Sequence, residues 1–338
     1  MSDPRISVVL PVYNGAMFLA EAIGSILGQN FRDLELIAID DGSTDGSASI
    51  LDALRDPRVR VIHQANVGLA ASLNQGISLA RGEYIARHDH DDLSLPMRFA
   101  RQVQFLEQNP DCALVGTRAE IRRDDRPATR FHDHPVDDAA LRFELLFDNP
   151  FVHSSVMLRK REVESVGGYS TDPARQPPED YELWSRLSRS YQVANLPERL
   201  TVYRETAGGM SRAPGPAFQA RAALISSENL AAAAGAVAPS RVHRDIAALS
   251  RQAFALVSPN PDFDAMRRVI EEAGARIGAA DPSSDVPVRV AQRIKTLRRH
   301  LIRYRAWRIL GPLWPVMRRG WRYAAVGRLG RRHDHVRP

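Results

Sequence analysis

The sequence predicts an α/β protein with a doubly wound, mostly parallel sheet and a helical C-terminal extension. Three observations lead there. Short apolar runs alternate with amphipathic stretches through the first half, the pattern of βαβ units. Polar, aspartate-rich loops follow the apolar runs. Beyond about residue 216 the chain turns Ala-rich and then strongly basic. With 338 residues, 44% hydrophobic and 25% charged, the chain is long enough for a full core and has ordinary globular composition.

Four strands are predicted first: Ile6 to Leu10, Leu34 to Asp40, Val59 to His63 and Tyr84 to Arg87. Ile6 to Leu10 runs directly into Pro11 with no cleavage pattern, so it reads as a strand rather than a signal peptide. Leu19, Ile23, Ile26 and Leu27, then Leu69, Leu73, Ile77 and Ala80, recur at helical spacing and supply the crossovers. Pro96 opens a further helix at a favoured first-turn position, with Phe99, Val103 and Leu106 on one face. Ala113 to Gly116 is predicted as a fifth strand, and the charged, Pro-containing stretch from Arg118 to Pro150 as a loop-rich insertion. Regular structure resumes with Ser155 to Leu158, a helix from Glu179 to Arg189 presenting Leu183 and Leu187, and a strand at Leu200 to Tyr203. Gly208, Gly209, Pro214 and Pro216 mark a linker. Helices are predicted in 217–238, 241–257 and 262–277.

In an open α/β sheet, ligands bind beyond the carboxyl ends of the strands. Here that edge carries Pro11-Val-Tyr-Asn-Gly15, Asp40-Asp-Gly-Ser-Thr-Asp45, Asn66-Val-Gly68 and His88-Asp-His-Asp-Asp92. No Gly-rich phosphate cradle follows the first strand. A bound diphosphate would need another source of positive charge, and aspartates meet that need by holding Mg²⁺ or Mn²⁺. Asp89, Asp91 and Asp92 offer that oxygen-rich chemistry. A turn with a helix N-cap is the plainer account of Asp40 to Asp45. A zinc site using His88 and His90 is disfavoured, because strand alternation turns both away from the aspartates.

These motifs, in this order, resemble the family 2 glycosyltransferases, an inverting family with the nucleotide-diphospho-sugar transferase fold called GT-A. The resemblance covers about the first 210 residues. Besides the first two loops, it rests on Arg81-Gly-Glu-Tyr-Ile leading to Asp89-His-Asp-Asp, the Pro96 helix, His153-Ser-Ser-Val-Met and Pro178-Glu-Asp-Tyr-Glu-Leu-Trp184. It implies that Pro11, Tyr13, Asp41, Asn66 and Gly68 receive the nucleoside, with Asp41 accepting from the base. It implies Asp89 near the ribose and metal, Asp91 as principal metal ligand and Asp180 as catalytic base. A base at Asp180 suits the chemistry, since an attacking hydroxyl must lose its proton on the face opposite the diphosphate. The bland account of Glu179 and Asp180 is an acidic first helical turn. His153 and Glu179 are candidate donor or acceptor contacts. The sequence departs from the family at His88, where relatives are often apolar, and after Tyr203-Arg204, where a common His is missing. Without Gln-x-x-Arg-Trp, the resemblance implies a non-processive hexosyltransferase, UDP-sugar favoured, acting on a glycan or lipid-linked acceptor in polysaccharide or cell-envelope synthesis.

The charge is divided unevenly. Residues 289–338 hold fifteen Lys/Arg against one acidic residue, Asp334, so the preceding part carries −8 against a total of +6. Arg293, Lys295, Arg298, Arg299, Arg303, Arg305 and Arg308 interleave with Ile294, Leu297, Leu301, Ile302 and Ile309, and Trp307, Trp314 and Trp321 accompany them. This basic amphipathic pattern suits an anionic membrane surface. Packing of the apolar stripe on the enzyme body and a nucleic-acid-binding tail are the alternatives, and no nucleic-acid partner is expected. Gly311, Pro312 and Pro315 would divide the helix. The predicted organisation is thus a catalytic domain over 1–210, a helical extension over 211–288 and a membrane-associating tail over 289–338. Cys112 alone cannot form an internal disulfide, and no run approaches the roughly 20 apolar residues of a membrane span. A cytoplasmic, peripheral membrane location is expected. The competing readings are a Mg²⁺-dependent phosphohydrolase, whose nucleophilic Asp would follow the first strand, and a non-catalytic sugar-nucleotide or membrane-binding module.

Overall fold

A computed structural model describes residues 3–123, 129–206 and 215–311. Strand β1 (Ile6–Val12) is buried along its whole length, because its alternate side chains serve two helix layers. Ile6, Val8, Leu10 and Val12 join the core that holds Leu19, Ile23 and Ile26 of α1 (Ala16–Leu27). Val9 joins the opposite core. Strand β2 (Leu34–Asp41) lies parallel to β1, and after the short α2 (Ser47–Asp52), β3 (Val59–Gln64) lies parallel to β2. Helix α3 (Leu69–Leu79) returns the chain to β4 (Tyr84–Arg87), parallel to β1 on its other side. The predicted strands are all present, three of them running one or two residues further.

The opposite edge is pinned by a buried polar lock. Ser7 Oγ donates to Glu35 Oε1 at 2.8 Å and accepts from Gly82 N at 2.8 Å, while Arg81 Nη2 donates to Glu35 Oε2 at 2.9 Å. Burial would raise the Glu35 carboxyl, but hydrogen bonds from Arg81, Ser7 and Arg60 outweigh it and hold the group below the usual range.

The second half adds β5 (Leu93–Ser94), α4 (Arg98–Gln108), β6 (Cys112–Arg122), β7 (Arg130–His132), α5 (Asp138–Glu144), β8 (Met157–Arg159), α6 (Lys160–Ser165), α7 (Glu179–Ser190) and β9 (Gln192–Arg204). The sheet order is β3-β2-β1-β4-β8-β6-β9-β5, with β7 beside β6. Strand direction reverses at β8, which is antiparallel to both β4 and β6. The loop-rich insertion predicted for Arg118 to Pro150 is corrected here. The fifth strand runs on to Arg122 with Ala119 and Ile121 buried between partly exposed charged residues, an alternation easily taken for rising loop charge. β7 follows, and α5 is capped by Asp137, whose side chain accepts from Ala140 N.

Helices α8 (Pro216–Ala233), α9 (Arg241–Ser250), α10 (Phe263–Gly278) and α11 (Val286–Leu310) form a third core together with α5. Most of the predicted linker at 208–216 lies outside the described residues. Leu297, Leu301 and Tyr304 of α11 are buried in that core, and Trp307 packs against Phe254 and Tyr304. The reading that the apolar stripe of 289–310 meets lipid is therefore corrected for Leu297 and Leu301, because the core formed with α5, α9 and α10 already covers them. The face left outside carries Lys295, Arg298, Arg299 and Arg305 with Ile302 and Ile309, which are 58% and 83% exposed. Gly311 closes the helix at φ +38°, and Trp314 and Trp321 lie outside the described residues. No described helix is long and apolar enough to cross a membrane.

Candidate active site

The carboxyl ends of β1 to β4 open onto one cleft of about 730 Å³, lined by Pro11, Tyr13, Asp41, Asn66, Gly68, Asp89 and Asp91. Every residue assigned to the nucleotide or the metal thus faces one space. The Asp40 to Asp45 loop does two jobs. Asp45 Oδ2 accepts from Ala16 N and Ser47 Oγ from Gly15 N, fixing the start of α1, while Asp40 accepts from Ser43 N and pairs with His63. Asp41 is the member that faces the cleft. Its Oδ1 accepts from Gln64 Nε2 and Val67 N, and its Oδ2 from Gly68 N at 2.9 Å. It organises the loop after β3, where Gly68 takes φ +89°, and keeps acceptor capacity on Oδ2.

The aspartates after β4 lie with one oxygen each inside 4.8 Å of one another. Asp89 forms an ion pair with the buried Arg87, which overrides desolvation and keeps its carboxyl below the ordinary range. Asp92 is already committed: it accepts from Ser154 Oγ and from Arg204 N. Asp91 accepts from no other described side chain, and burial together with Asp89 raises its carboxyl. Clustered hard oxygen donors with an excess of buried negative charge fit a divalent cation. The cluster consists of aspartates alone among the described residues. His88 turns away from the cluster as expected: buried, with Nδ1 on Asp89 O, it is pushed down to about 3 by desolvation and Arg98. His90 does not, because the strand ends at Arg87 and alternation with it. Its ring lines the cleft over Gly15, where an added Cβ would come within 2.3 Å of it.

The far wall is Arg204 at the end of β9. Its guanidinium lies 4.7 Å over Phe18, pairs with Glu21 and donates to Asp91 O. The aspartate loop is therefore tied to α1 and β9 together.

Glu179, Asp180 and His153 form a second group, not among the residues lining the cleft. Asp180 accepts from Tyr181 N on Oδ1 and from Asn149 Nδ2 on Oδ2, both at 2.7 Å. Burial raises its carboxyl, and raises Glu179 to about 7 with Asp180 contributing. His153 Nε2 lies 2.9 Å from Tyr169 Oη and its Nδ1 3.9 Å from Glu179 and 4.0 Å from Asp180. Burial and then Arg87 hold it neutral. Arg87, whose field reaches Asp89, Glu179, Asp180 and His153, links the two groups. Trp184 lies in the core behind His153, ring centroids 5.8 Å apart. Arg87, Asn149 and Arg204 are the residues that sequence reasoning passed over, and His90 was weighed there only as a zinc ligand. Only Arg87 gave a signal, a charge in the otherwise apolar run Tyr84-Ile-Ala.

A mixed α/β sheet with a nucleotide-sized, aspartate-bearing cleft at its carboxyl edge defines a GT-A-type fold. Among solved structures, Staphylococcus aureus TarS 1-349 in complex with UDP-GlcNAc is similar at TM-score 0.59 and 18% identity, over 89% of this chain and 92% of that one. The mannosyltransferase PcManGT from Pyrobaculum calidifontis, in complex with GDP-Man and Mn²⁺, is similar at TM-score 0.51 and 20% identity, over 91% and 84%. Residues 7–167 match the family described as glycosyl transferase family 2. EpsE of Bacillus subtilis (strain 168), named as a glycosyltransferase, is 36% identical over 222 residues, 62% of this chain and 77% of its own. The amylovoran biosynthesis glycosyltransferase AmsE of Erwinia amylovora is 32% identical over 204 residues, 59% and 75%. The chain belongs to glycosyl transferase family 2, which takes the place of the phosphohydrolase reading.

Proposed function

We propose that this glycosyltransferase moves one hexosyl group per encounter, with inversion, from a nucleoside-diphosphate sugar to a hydroxyl of a glycan or lipid-linked acceptor. A UDP-sugar is favoured, with Mn²⁺ or Mg²⁺ required. The observation that carries the reading is the single cleft that holds Tyr13, Asp41, Asn66 and Gly68 together with Asp89 and Asp91. The similar structures bind UDP-GlcNAc or GDP-Man with Mn²⁺, which supports a sugar nucleotide while leaving the base to be read by Asp41 and its loop.

Pro11 and Tyr13 flank the nucleobase, and Asp41 accepts from it. Asp89, ionised by Arg87, and Asp91 would hold the cation, which when bound neutralises the diphosphate as leaving group. Asp180 takes the proton of the acceptor hydroxyl as its oxygen bonds to the anomeric carbon and the bond to the diphosphate breaks. Single displacement inverts that carbon. Glu179 and His153 shape the acceptor side. The name of AmsE, an amylovoran biosynthesis enzyme, supports a role in surface polysaccharide synthesis. The exposed basic face of α11, with Ile302 and Ile309 projecting from it, supports peripheral attachment to the anionic inner face of the cytoplasmic membrane.

The test is a panel of UDP-GlcNAc, UDP-glucose, dTDP-glucose and GDP-mannose with Mn²⁺ or Mg²⁺, using membrane lipid extract as acceptor. Metal-dependent nucleoside-diphosphate release is expected, lost in Asp91→Ala and in Asp180→Asn, with donor binding retained in the latter. Turnover surviving Asp180→Asn would remove the base assignment, and survival of Asp91→Ala without metal would remove the metal.

A further inference from the structure

We infer that Asn149 sorts the charge of the Glu179–Asp180 pair, making Asp180 its ionised member and aiming that carboxylate; the inference rests on Asp180 being the base. The argument begins with an amide that cannot turn over. Asn149 sits in the turn after α5, and its Oδ1 accepts from Phe151 N at 3.1 Å. A backbone N–H only donates, so the oxygen is fixed there and the NH₂ must point the other way. It points at Asp180 Oδ2, 2.7 Å away.

The pair is therefore asymmetric. Each oxygen of Asp180 receives one donor, from Asn149 and from Tyr181 N, with acceptor capacity left on both. Glu179, the more deeply buried of the two at 7% exposure, receives no side-chain donor among the described residues. The nearest ring nitrogen, His153 Nδ1, is 3.9 Å away. Two carboxyl groups sharing a buried site cannot both ionise cheaply, and donors decide which does. The other groups facing the pair do not reverse that choice. His153 is neutral, Tyr169 is held protonated by burial, and the Arg87 charge is offset in part by its ion pair with Asp89.

The turn is held from the helical extension. Asp148 Oδ1 accepts from Asn149 N at 3.0 Å and from Arg251 Nη2, at the end of α9, at 3.0 Å. The same guanidinium lies 5.2 Å over the ring of Tyr181, the residue after Asp180. Tyr181 Oη in turn donates to Leu145 O at the end of α5. Asn149 is a positioning residue, and Arg251 braces both the turn and the helix it serves.

Two substitutions change the donor and leave the turn. Asn149→Ser keeps an oxygen to accept from Phe151 N but cannot reach Asp180, and Asn149→Asp keeps the same turn while replacing the NH₂ by a like charge. The carboxyl ¹³C resonances of Asp180 and Glu179, assigned with Asp180→Asn and Glu179→Gln, are titrated in the full chain without donor. The midpoint of Asp180 is expected to rise by about one pH unit in Asn149→Ser, the shift that corresponds to one hydrogen bond to an ionised group. It should rise further in Asn149→Asp. In Arg251→Met, which loosens the turn from outside, a smaller rise in the same direction is expected. An unmoved Asp180 midpoint in folded Asn149→Ser overturns the inference. Turnover in Asp180→Asn is scored separately: if that variant works like the native chain, the base assignment falls whatever the titration gives.

Discussion

Replacing Glu179 by Gln should change how stability depends on pH. In the folded chain this carboxyl is 7% exposed and titrates at about 7 against an ordinary 4.5, because burial and then Asp180 disfavour its charge. A carboxyl raised by folding binds its proton more tightly when folded, so its contribution is greatest below pH 4.5 and is lost as pH rises towards and beyond 7. The interval of about 2.5 pH units corresponds to a ceiling of about 3 kcal/mol. Gln has the shape of the protonated form and cannot ionise, so Glu179→Gln removes the loss. Urea denaturation in metal-free buffer is the assay. At pH 5 the two proteins should agree within about 1 kcal/mol, and at pH 8 the variant should be more stable by about 2 to 3 kcal/mol. Parallel pH dependence in the two proteins would refute the claim that Glu179 carries the strained charge.

Three other outcomes follow from particular contacts. Gly15→Ala places a methyl 2.3 Å from the His90 ring; the ring must leave the cleft wall, and UDP is expected to bind about tenfold more weakly, about 1.4 kcal/mol by calorimetry, whereas unchanged affinity would remove His90 from the nucleotide wall. Ser7→Ala strips the lock at the other edge of the sheet, leaving Gly82 N and Glu35 short of a partner, and should cost about 1 to 3 kcal/mol in thermal unfolding while turnover per folded molecule is kept. Reversing charge at Lys295, Arg298 and Arg299 on the exposed face of α11 should abolish sedimentation with vesicles containing anionic phospholipid, each basic residue being worth about 1 kcal/mol near such a surface. Equal sedimentation of native and reversed chains would take the membrane contact away from that face.

The parallel half of the sheet was legible because its signals are local and redundant: apolar runs of strand length, helical spacing between them, and polar loops at each carboxyl end. The stretch 118–150 was not, since a strand with one charged face and a seven-residue helix capped by Asp137 resemble a polar loop when no partner is known. The amphipathic reading of 289–310 identified a helix but not which face is covered. Leu297 and Leu301 are buried in the core with α5, α9 and α10, and only packing decides that. In the site, residue types that announce chemistry, such as Asp89, Asp91 and Asp180, stood out in sequence. Asn149 and Arg204 did not, because their work is done through neighbours 31 and 113 positions away.

The reversal of strand direction at β8 places the aspartate loop on a seam. On one side, residues 6 to 92 form the parallel unit that lines most of the cleft, with Arg204 of β9 closing it. On the other, β8, β6 and β9 lead to Asp180, Asn149 and the helical extension. A shift of β8 against β4 would therefore move the second acidic group relative to the aspartate loop while the parallel register of β1 to β4 stayed as it is.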